Sequence, residues 1–297
     1  MKKVRCRECG ARVRMDRMAA HRRSHRRSPR SCRGAVAAVI AIIAVIVIAA
    51  VLMLQPKKGD GGENAPPPAD PNAVQVTFGT EDGWQLKGTF YRGSPSAPLV
   101  IMVHGLNEAR GYWGDSIISE LRAKGLNILA FDSRGHGESI KVNGVKRDWK
   151  AFSEDEFPKM TLDINAAKQY AYANFPFAPR IAVVGASIGA NEALAFAASA
   201  NGTEVRTVVL LSPGTDYRGI ESGPPAQALG LRGGVALFIA AGEADSGALP
   251  CSRSLNETYP GTKRLLTQSG GAHGTVLLTY DGIRREIVDF ILANTSG

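Results

Sequence analysis

Residues 181 to 189 read Ile-Ala-Val-Val-Gly-Ala-Ser-Ile-Gly, the most informative stretch of this 297-residue chain. An apolar run typical of a strand meets a Gly-x-Ser-x-Gly pattern, and the alanine-rich residues 190–200 that follow favour a helix. This layout predicts that Ser187 lies on a tight strand-to-helix turn with its hydroxyl exposed above a sheet. Glycine is needed at positions 185 and 189 because a side chain there would collide with the neighbouring strand or helix. The pattern indicates a serine nucleophile.

The first 33 residues form a strongly basic arm. They contain thirteen lysines and arginines against only Glu8 and Asp16, whereas the whole chain has a formal net charge of +9. The positive charge therefore belongs to residues 1–33, and it says nothing about the partners of the remaining chain.

Residues 35–54 contain no charged or polar side chain. As a helix they would span about 30 Å, the thickness of the hydrocarbon core of a bilayer. The alternatives are a buried globular helix, which usually keeps a polar face, and a cleavable signal peptide, whose apolar stretch is usually shorter. Because the basic arm precedes this segment, we predict a single-pass membrane protein with a cytoplasmic N-terminus and an extracytoplasmic body. Residues 55–72, rich in proline and glycine, are predicted to be a flexible linker.

The basic arm carries a metal-ligand pattern: Cys6-x2-Cys9, eleven residues, then His21-x3-His25. Two thiolates and two imidazoles complete a tetrahedral zinc site, and the arrangement resembles a two-Cys, two-His zinc finger. It departs from that finger in having eleven rather than twelve central residues and no aromatic residue. Structural zinc and a disordered basic arm both stay open. We expect the arm to contact anionic lipid headgroups, because basic residues are attracted to them. A protein partner is the alternative, and nucleic acid is not expected, because a single finger beside a membrane anchor is poorly placed to read DNA.

The body, residues 73–297, is long enough for one domain with a substantial core. Residues 74–79 and 84–92 alternate like a hairpin that turns at Asp82-Gly83. Short apolar or β-branched runs then alternate with segments that favour helices, and most runs are continuous, as in parallel strands that are covered on both faces. The predicted strands are 99–103, 126–131, 181–184, 207–211, 235–240 and 263–267, and the predicted helices are 112–123, 159–173, 188–200, 246–259 and 275–293. The order predicts a doubly wound α/β sheet with an antiparallel start.

The motifs of this body resemble the α/β-hydrolase superfamily. They occur in the order of that family, and the set comprises residues 80–88, His104-Gly105, Asp-Ser-Arg-Gly-His-Gly-Glu-Ser at 132–139, the serine motif at 185–189, Gly242-Glu-Ala-Asp245 and Gly271-Ala-His273-Gly. The resemblance implies the α/β-hydrolase fold and a nucleophile, acid and base in the chain order Ser, Asp or Glu, His.

That order selects the catalytic base. Of five histidines only His273 follows Ser187, so the resemblance makes it the base. Asp245 follows the seventh strand, the usual place for the acid, although an aspartate there also suits the N-cap of the next helix. Asp216 after the sixth strand and Glu243 are the alternatives.

The resemblance also implies an oxyanion hole and loop-bracing residues. Two backbone N–H groups would bind the developing oxyanion, those of Leu106 and Ile188. His104, Arg134 and His136 are expected to brace loops rather than to react.

These features together predict a membrane-anchored serine hydrolase that acts on carboxylic esters, small-molecule or lipid, through an acyl-enzyme and without a catalytic cofactor. Only residues 216–234 separate the sixth and seventh strands, so any cap is small and the site open. A serine peptidase or acyltransferase of the same fold is the nearest alternative. A non-catalytic ligand-binding or sensor module tethered to a zinc-binding arm is the alternative from another class.

Overall fold

The computed structural model describes residues 3–5, 12–17 and 72–295. In the N-terminal region, β1 (Lys3–Arg5) pairs antiparallel with β2 (Arg12–Arg14), and a 3-10 turn follows at Met15–Arg17. The predicted zinc ligands Cys6, Cys9, His21 and His25 all lie outside the described residues. Within the described part of the chain, no group of three or more histidines, cysteines or carboxylates is placed to hold a metal ion.

The predicted localisation, a single-pass membrane protein with an extracytoplasmic body, is contradicted. Among the residues that the structure describes, no helix is both long and apolar enough to cross a bilayer. Spanning takes about 20 consecutive apolar residues, whereas the longest described helix has 15 residues and carries charged side chains. Residues 35–54, on which the prediction depended, lie outside the described residues, as do residues 55–71 of the predicted linker.

A single ten-stranded sheet organises the body. Its larger strands are β3 (Ala73–Gly79), β4 (Trp84–Tyr91), β5 (Leu99–Val103), β6 (Asn127–Phe131), β9 (Ile181–Ala186), β10 (Val205–Leu211), β13 (Ala236–Gly242) and β14 (Lys263–Gln268), and a small hairpin at one edge contributes β7 (Lys141–Val142) and β8 (Val145–Lys146). Strands β6, β5, β9, β10, β13 and β14 are neighbours in that order and run parallel, whereas β4 pairs antiparallel with both β3 and β6. The predicted α/β-hydrolase fold, with a mostly parallel sheet and an antiparallel start, is confirmed.

Helices cover both faces of this sheet. They are α1 (Asp115–Ala123), α2 (Thr161–Asn174), α3 (Ile188–Ala198), α4 (Gly223–Arg232), α5 (Ala248–Thr258) and α6 (Asp281–Thr295). Alternate residues of β5 face opposite sides, so that Ile101 packs in one core layer and Met102 in the other. The central strands are therefore apolar along their whole length, as the sequence predicted.

The strand order reverses between β5 and β9. The chain passes from β5 to β6 on one side, and then crosses back to β9 on the other. The carboxyl ends of β5 and β9 thus flank a topological switch point, where open α/β sheets bind their ligands. Residues 104–108 follow β5 and Ser187 follows β9, so both meet at this crevice.

Two predicted helices differ from the structure for identifiable reasons. The helix predicted from residue 112 begins at Asp115, because a 3-10 turn at Arg110–Trp113 ends at Gly114, whose φ is +73°. The helix predicted from residue 275 is divided into a 3-10 segment, Gly274–Thr279, and α6. The small predicted cap consists of a hairpin, β11 (Asp216–Tyr217) with β12 (Ile220–Glu221), and of helix α4.

Arg134 is buried and anchors the loop after β6 by ion pairing. Its guanidinium donates to Asp163 on α2 at 2.8 Å and to Asp82 in the β3–β4 turn at 2.6 and 3.1 Å. Its backbone N–H also donates to Asp163 at 2.7 Å. Since both carboxylates come from other elements, the guanidinium holds three segments together, which fits the bracing role that the resemblance implies.

Glu192 lies near this cluster on α3 and is fully buried, yet neither of its carboxyl oxygens has a hydrogen-bond partner among the described residues. Burial, reinforced by the Asp163 carboxylate, raises the pKa of Glu192 well above its ordinary value, against the opposing effect of Arg134. At pH values above the unfolded pKa of about 4.3, Glu192 is therefore still protonated in the folded protein but ionised in the unfolded chain. Stability contributed by this proton is lost as the pH rises above that unfolded value.

We expect Glu192→Gln, which does not titrate, to remove this pH dependence. The melting temperature of the wild type should fall relative to the variant between pH 5 and pH 8, by a few degrees, since about 1 kcal/mol corresponds to ~2–4 °C in a domain of this size. Thermal unfolding followed by circular dichroism across that range measures the difference. The matched control is Glu81→Gln, because Glu81 is exposed. A Glu192→Gln difference that stays constant from pH 5 to pH 8 would contradict the buried proton.

Candidate active site

Ser187 lies on a strained turn between β9 and α3. Its φ is +55° and its ψ is −122°, a backbone conformation that residues other than glycine rarely adopt. The turn is held because the Ser187 N–H donates to the carbonyl oxygen of Leu211, at the end of β10, at 2.8 Å. The hydroxyl is thereby fixed above the carboxyl edge of the sheet.

The two glycines of the motif sit where three backbones touch. A Cβ at Gly185 would come within 2.1 Å of the Gly189 carbonyl oxygen on α3. A Cβ at Gly189 would come within 2.3 Å of the carbonyl oxygen of Val103 and 2.5 Å of that of His104. Any larger residue would force the helix away from β9 or β5, which is the close approach that the sequence predicts.

The structure brings Ser187, His273 and Asp245 together in one hydrogen-bonded row. The His273 Nε2 lies 2.9 Å from the Ser187 Oγ, and its Nδ1 lies 2.7 Å from the Asp245 Oδ2. A carboxylate can only accept, so Nδ1 carries the imidazole proton and Nε2 faces the hydroxyl with its lone pair. The His273 side chain is 42% exposed and that of Asp245 10%, so the row is open to solvent at the histidine and covered at the acid.

Asp245 contacts both the His273 imidazole and the start of helix α5. While Oδ2 faces the imidazole, Oδ1 accepts from the Ala248 N–H at 3.2 Å, at the start of α5. The two alternative acids are engaged elsewhere: Asp216 accepts from the Gly219 N–H at 2.7 Å in its own hairpin, and Glu243 accepts from Thr267 at 3.2 Å.

The loop after β5 lies against the serine turn. The ideal Cβ position of Gly105 is 3.3 Å from the Ser187 Cβ, and the next residue, Leu106, packs against the cluster that contains Ile188. Ile188 is the first residue of α3, and its N–H has no acceptor one turn earlier within the helix. The two amides predicted to bind an oxyanion thus belong to segments that flank Ser187.

His104 and His136 are buried and act as hydrogen-bonded braces. The His104 Nε2 accepts from the Ser133 N–H at 3.0 Å, so its Nδ1 carries the proton and donates to the Gly105 carbonyl oxygen at 2.8 Å. Burial lowers the pKa of each imidazole to about 4. Both rings are therefore neutral at pH 7, and neither is poised as a general base.

An apolar wall lies beside the nucleophile. Its buried members are Phe157, Met160, Ile188 and Ile220, and its partly buried members include Leu106, Trp149 and Tyr217. Trp149 also stacks on the His136 ring at 5.4 Å, whereas Trp113 packs in the core beneath α1. Because Leu106 and Ile188 contribute both a predicted oxyanion amide and an apolar side chain, the wall begins at the nucleophile itself.

Two residues at this site are not apparent from the sequence. Tyr217, on the cap hairpin, has its ring over Gly214 and its phenol near the Ser187 hydroxyl and the Asp245 carboxylate, and burial raises its pKa. Glu108 hydrogen-bonds two loops of the site. No motif marks either residue, because each reaches the site through contacts with residues distant in the chain.

A depression of about 120 Å³ lined by Ser96, Pro98 and Arg180 lies at the opposite, amino-terminal edge of the sheet and includes none of the predicted site residues.

The sequence matches a known hydrolase family over part of its length. Residues 94–240 match the family described as "Serine aminopeptidase, S33". The thiohydrolase aneE of Aspergillus aculeatus is 31% identical over 91 residues, which cover 30% of this chain and 28% of that protein. The chain thus aligns with little more than a quarter of the length of this relative.

Solved structures share the fold at low sequence identity. An esterase of Pyrococcus furiosus superimposes with a TM-score of 0.61 at 21% identity, covering 75% of this chain and 90% of the esterase. A dienelactone hydrolase of Anabaena variabilis gives 0.59 at 17% identity, covering 75% and 98% of the two chains. Together with the sheet order, the structural matches show that the body of the chain has the α/β-hydrolase fold, and residues 94–240 are similar to a hydrolase family.

Proposed function

We propose that this protein is a serine hydrolase that cleaves carboxylic esters, with Ser187 as nucleophile, His273 as base and Asp245 as the orienting acid. The observation that carries the proposal is the row Asp245–His273–Ser187, with hydrogen bonds of 2.7 and 2.9 Å. Nucleophile, base and orienter within such distances are what nucleophilic catalysis requires.

The reaction begins with attack by Ser187. Its Oγ forms a bond to the carbonyl carbon of the ester while His273 Nε2 takes the hydroxyl proton. The carbonyl oxygen becomes an oxyanion, which accepts hydrogen bonds from the N–H groups of Leu106 and Ile188. Collapse of this intermediate breaks the bond to the alkoxy oxygen, which receives the proton from His273 and leaves as an alcohol.

Water completes the cycle. His273, again neutral, removes a proton from a water molecule as that water attacks the acyl-enzyme. The second oxyanion then collapses, the bond between the acyl carbon and the Ser187 Oγ breaks, and the Oγ receives the proton from His273 while the acid leaves. Asp245 holds the imidazole in the Nδ1–H tautomer and stabilises the imidazolium at each transfer.

The apolar wall supports an ester with an apolar acyl group as the substrate class. The wall continues from Leu106 and Ile188 to Tyr217 and Ile220, so an acyl chain attached to Ser187 would lie along apolar side chains. The cap consists of one hairpin and one ten-residue helix, and the His273 side chain is 42% exposed, so leaving groups of different size can depart towards solvent. The match to a family described as serine aminopeptidase makes peptide cleavage the alternative to test.

The full-length protein treated with a fluorophosphonate should gain one adduct, located on Ser187 by peptide mass spectrometry. A panel of p-nitrophenyl acetate, butyrate and octanoate, an octanoyl thioester and an aminoacyl p-nitroanilide then compares substrate classes. We expect the butyrate or octanoate ester to have the highest kcat/KM and the anilide to be at least 100-fold slower. Absence of the adduct would contradict the serine mechanism, and preference for the anilide would favour the peptidase.

We also propose that Cys6, Cys9, His21 and His25 bind a structural zinc ion. The support is the residue pattern and the hairpin of β1 and β2, whose strands flank in sequence the segment with both cysteines. One zinc ion per chain is expected by elemental analysis of the purified protein, and none in the double variant Cys6→Ser, Cys9→Ser. Equal metal content in the two proteins would contradict the site.

A further inference from the structure

Glu108 links the loop that follows β5 to the loop that carries His273. Its Oε2 accepts from the Gly105 N–H at 2.8 Å, and its Oε1 accepts from the Thr275 hydroxyl at 2.7 Å. Gly105 precedes the proposed oxyanion residue Leu106 by one position, and Thr275 follows the proposed base by two. The carboxylate thus joins residues that are separated by about 170 positions in the chain.

The link lies next to the nucleophile. The ideal Cβ position of Gly105 is 3.1 Å from the Glu108 Oε2 and 3.3 Å from the Ser187 Cβ. On the other side, the ideal Cβ position of Gly274 is 3.9 Å from the Ser187 Cβ and 4.0 Å from the Glu108 Oε1. Glu108 therefore reaches both loops at the level of Ser187, while each of its oxygens is engaged by a protein donor.

Each of the two loops contains a residue with a positive φ. Gly274 has a φ of +58°, and its N–H donates to the Ser212 hydroxyl at 3.0 Å, so the histidine loop is also held from the β10 side. The loop after β5 turns at Asn107, whose φ is +60°, with the Glu108 N–H donating to the Gly105 carbonyl oxygen at 3.1 Å. Without Glu108 the two loops would share no side-chain bridge among the described residues.

We propose that Glu108 is a positioning residue that fixes the spacing between the oxyanion-binding amide of Leu106 and the imidazole of His273. The inference depends on the proposed serine hydrolase function. In the transition state the imidazolium and the oxyanion must lie on opposite sides of the same carbon atom. A displacement of about 1 Å between catalytic groups costs roughly 100-fold in rate.

Four variants separate the link from general stability. Glu108→Ala removes both hydrogen bonds, Glu108→Gln keeps one acceptor and can donate to the Thr275 oxygen, Thr275→Val removes one bond at constant shape, and Thr275→Ser retains the hydroxyl. The control is Glu81→Gln, at an exposed residue away from the site. Thermal unfolding is measured for every variant.

We expect Glu108→Ala to lower kcat about 100-fold while KM changes less than about 3-fold, because the loss is in transition-state geometry rather than in substrate binding. Thr275→Val should lower kcat about 10-fold, whereas Glu108→Gln and Thr275→Ser should stay within about 5-fold of the wild type. A Glu108→Ala variant with wild-type kcat, or one whose KM rises at constant kcat, would overturn the proposal, the latter because Glu108 would then bind substrate.

Hydrogen exchange tests the link without turnover. In Glu108→Ala, both residues 104–108 and residues 272–276 should exchange faster, whereas Glu108→Gln should protect both as the wild type does. Faster exchange in only one of the two loops would overturn the link. Should the wild type lack turnover, or Ser187→Ala retain it, the proposed function fails, and the exchange result still decides whether Glu108 couples the loops.

Discussion

Replacing Ser187 by alanine is expected to lower kcat for p-nitrophenyl butyrate by about 10⁶-fold, the loss seen when the nucleophile of a serine hydrolase is removed. The variant should fold normally, because alanine keeps the Cβ that Ser187 already places at a φ of +55°. What disappears is the hydroxyl oxygen of the proposed acyl-enzyme, which lies 2.9 Å from the His273 Nε2. Steady-state hydrolysis, with circular dichroism to verify folding, measures the effect.

The control for this variant is Ser116→Ala, at an exposed serine on α1. It should hydrolyse the ester at the wild-type rate and should still be labelled by the fluorophosphonate at Ser187. If Ser187→Ala hydrolysed the ester within tenfold of the wild-type rate, the proposed acyl-enzyme mechanism would be wrong, whatever the substrate.

The second large effect is expected for Asp245→Asn, with a decrease in kcat of about 10⁴-fold. The asparagine side chain can present its N–H₂ group to Nδ1, which favours the tautomer with the proton on Nε2. His273 would then face the Ser187 hydroxyl with a donor instead of a lone pair, and it could no longer accept the proton. The ester assay at pH 7–8 measures this change.

Asp216→Asn provides the matched comparison, because the same substitution then falls on the alternative acid. Asp216 accepts from the Gly219 N–H in its own hairpin, so we expect its variant to remain within twofold of the wild-type kcat. A larger decrease in kcat in Asp216→Asn than in Asp245→Asn would indicate that Asp216 is the acid.

The sequence was most informative where local chemistry determines structure. Glycines at 185 and 189 predicted a turn at which backbones touch, and continuous apolar strands predicted a sheet that is covered on both faces. The resemblance to the α/β-hydrolase superfamily, through its order of motifs, predicted Asp245 and His273. The cap helix was less apparent, although Pro224 and Pro225 fall in its first turn, where proline is well tolerated.

Contacts between distant segments could not be predicted in this way. Glu108 pairs with Thr275, which follows it by 167 positions, and the sequence contains no periodicity that would relate them. Glu192 occupies a position on α3 that is entirely buried, although a charged residue ordinarily marks an exposed face. The N-terminal predictions depended on hydropathy and residue spacing alone, and the membrane topology derived from them is not supported by the described residues.

The contact at Gly189 has a consequence for how this protein can be altered. The close approach of α3 to the carbonyl oxygens of Val103 and His104 is set by atomic radii, which neither temperature, salt nor pH changes appreciably. The distance between Ser187 and the loop after β5 is therefore fixed by contact between backbones, whereas the apolar wall is built from side-chain contacts. Directed evolution of new substrate preferences should accordingly collect its changes in the cap and wall, and reject every substitution at position 189.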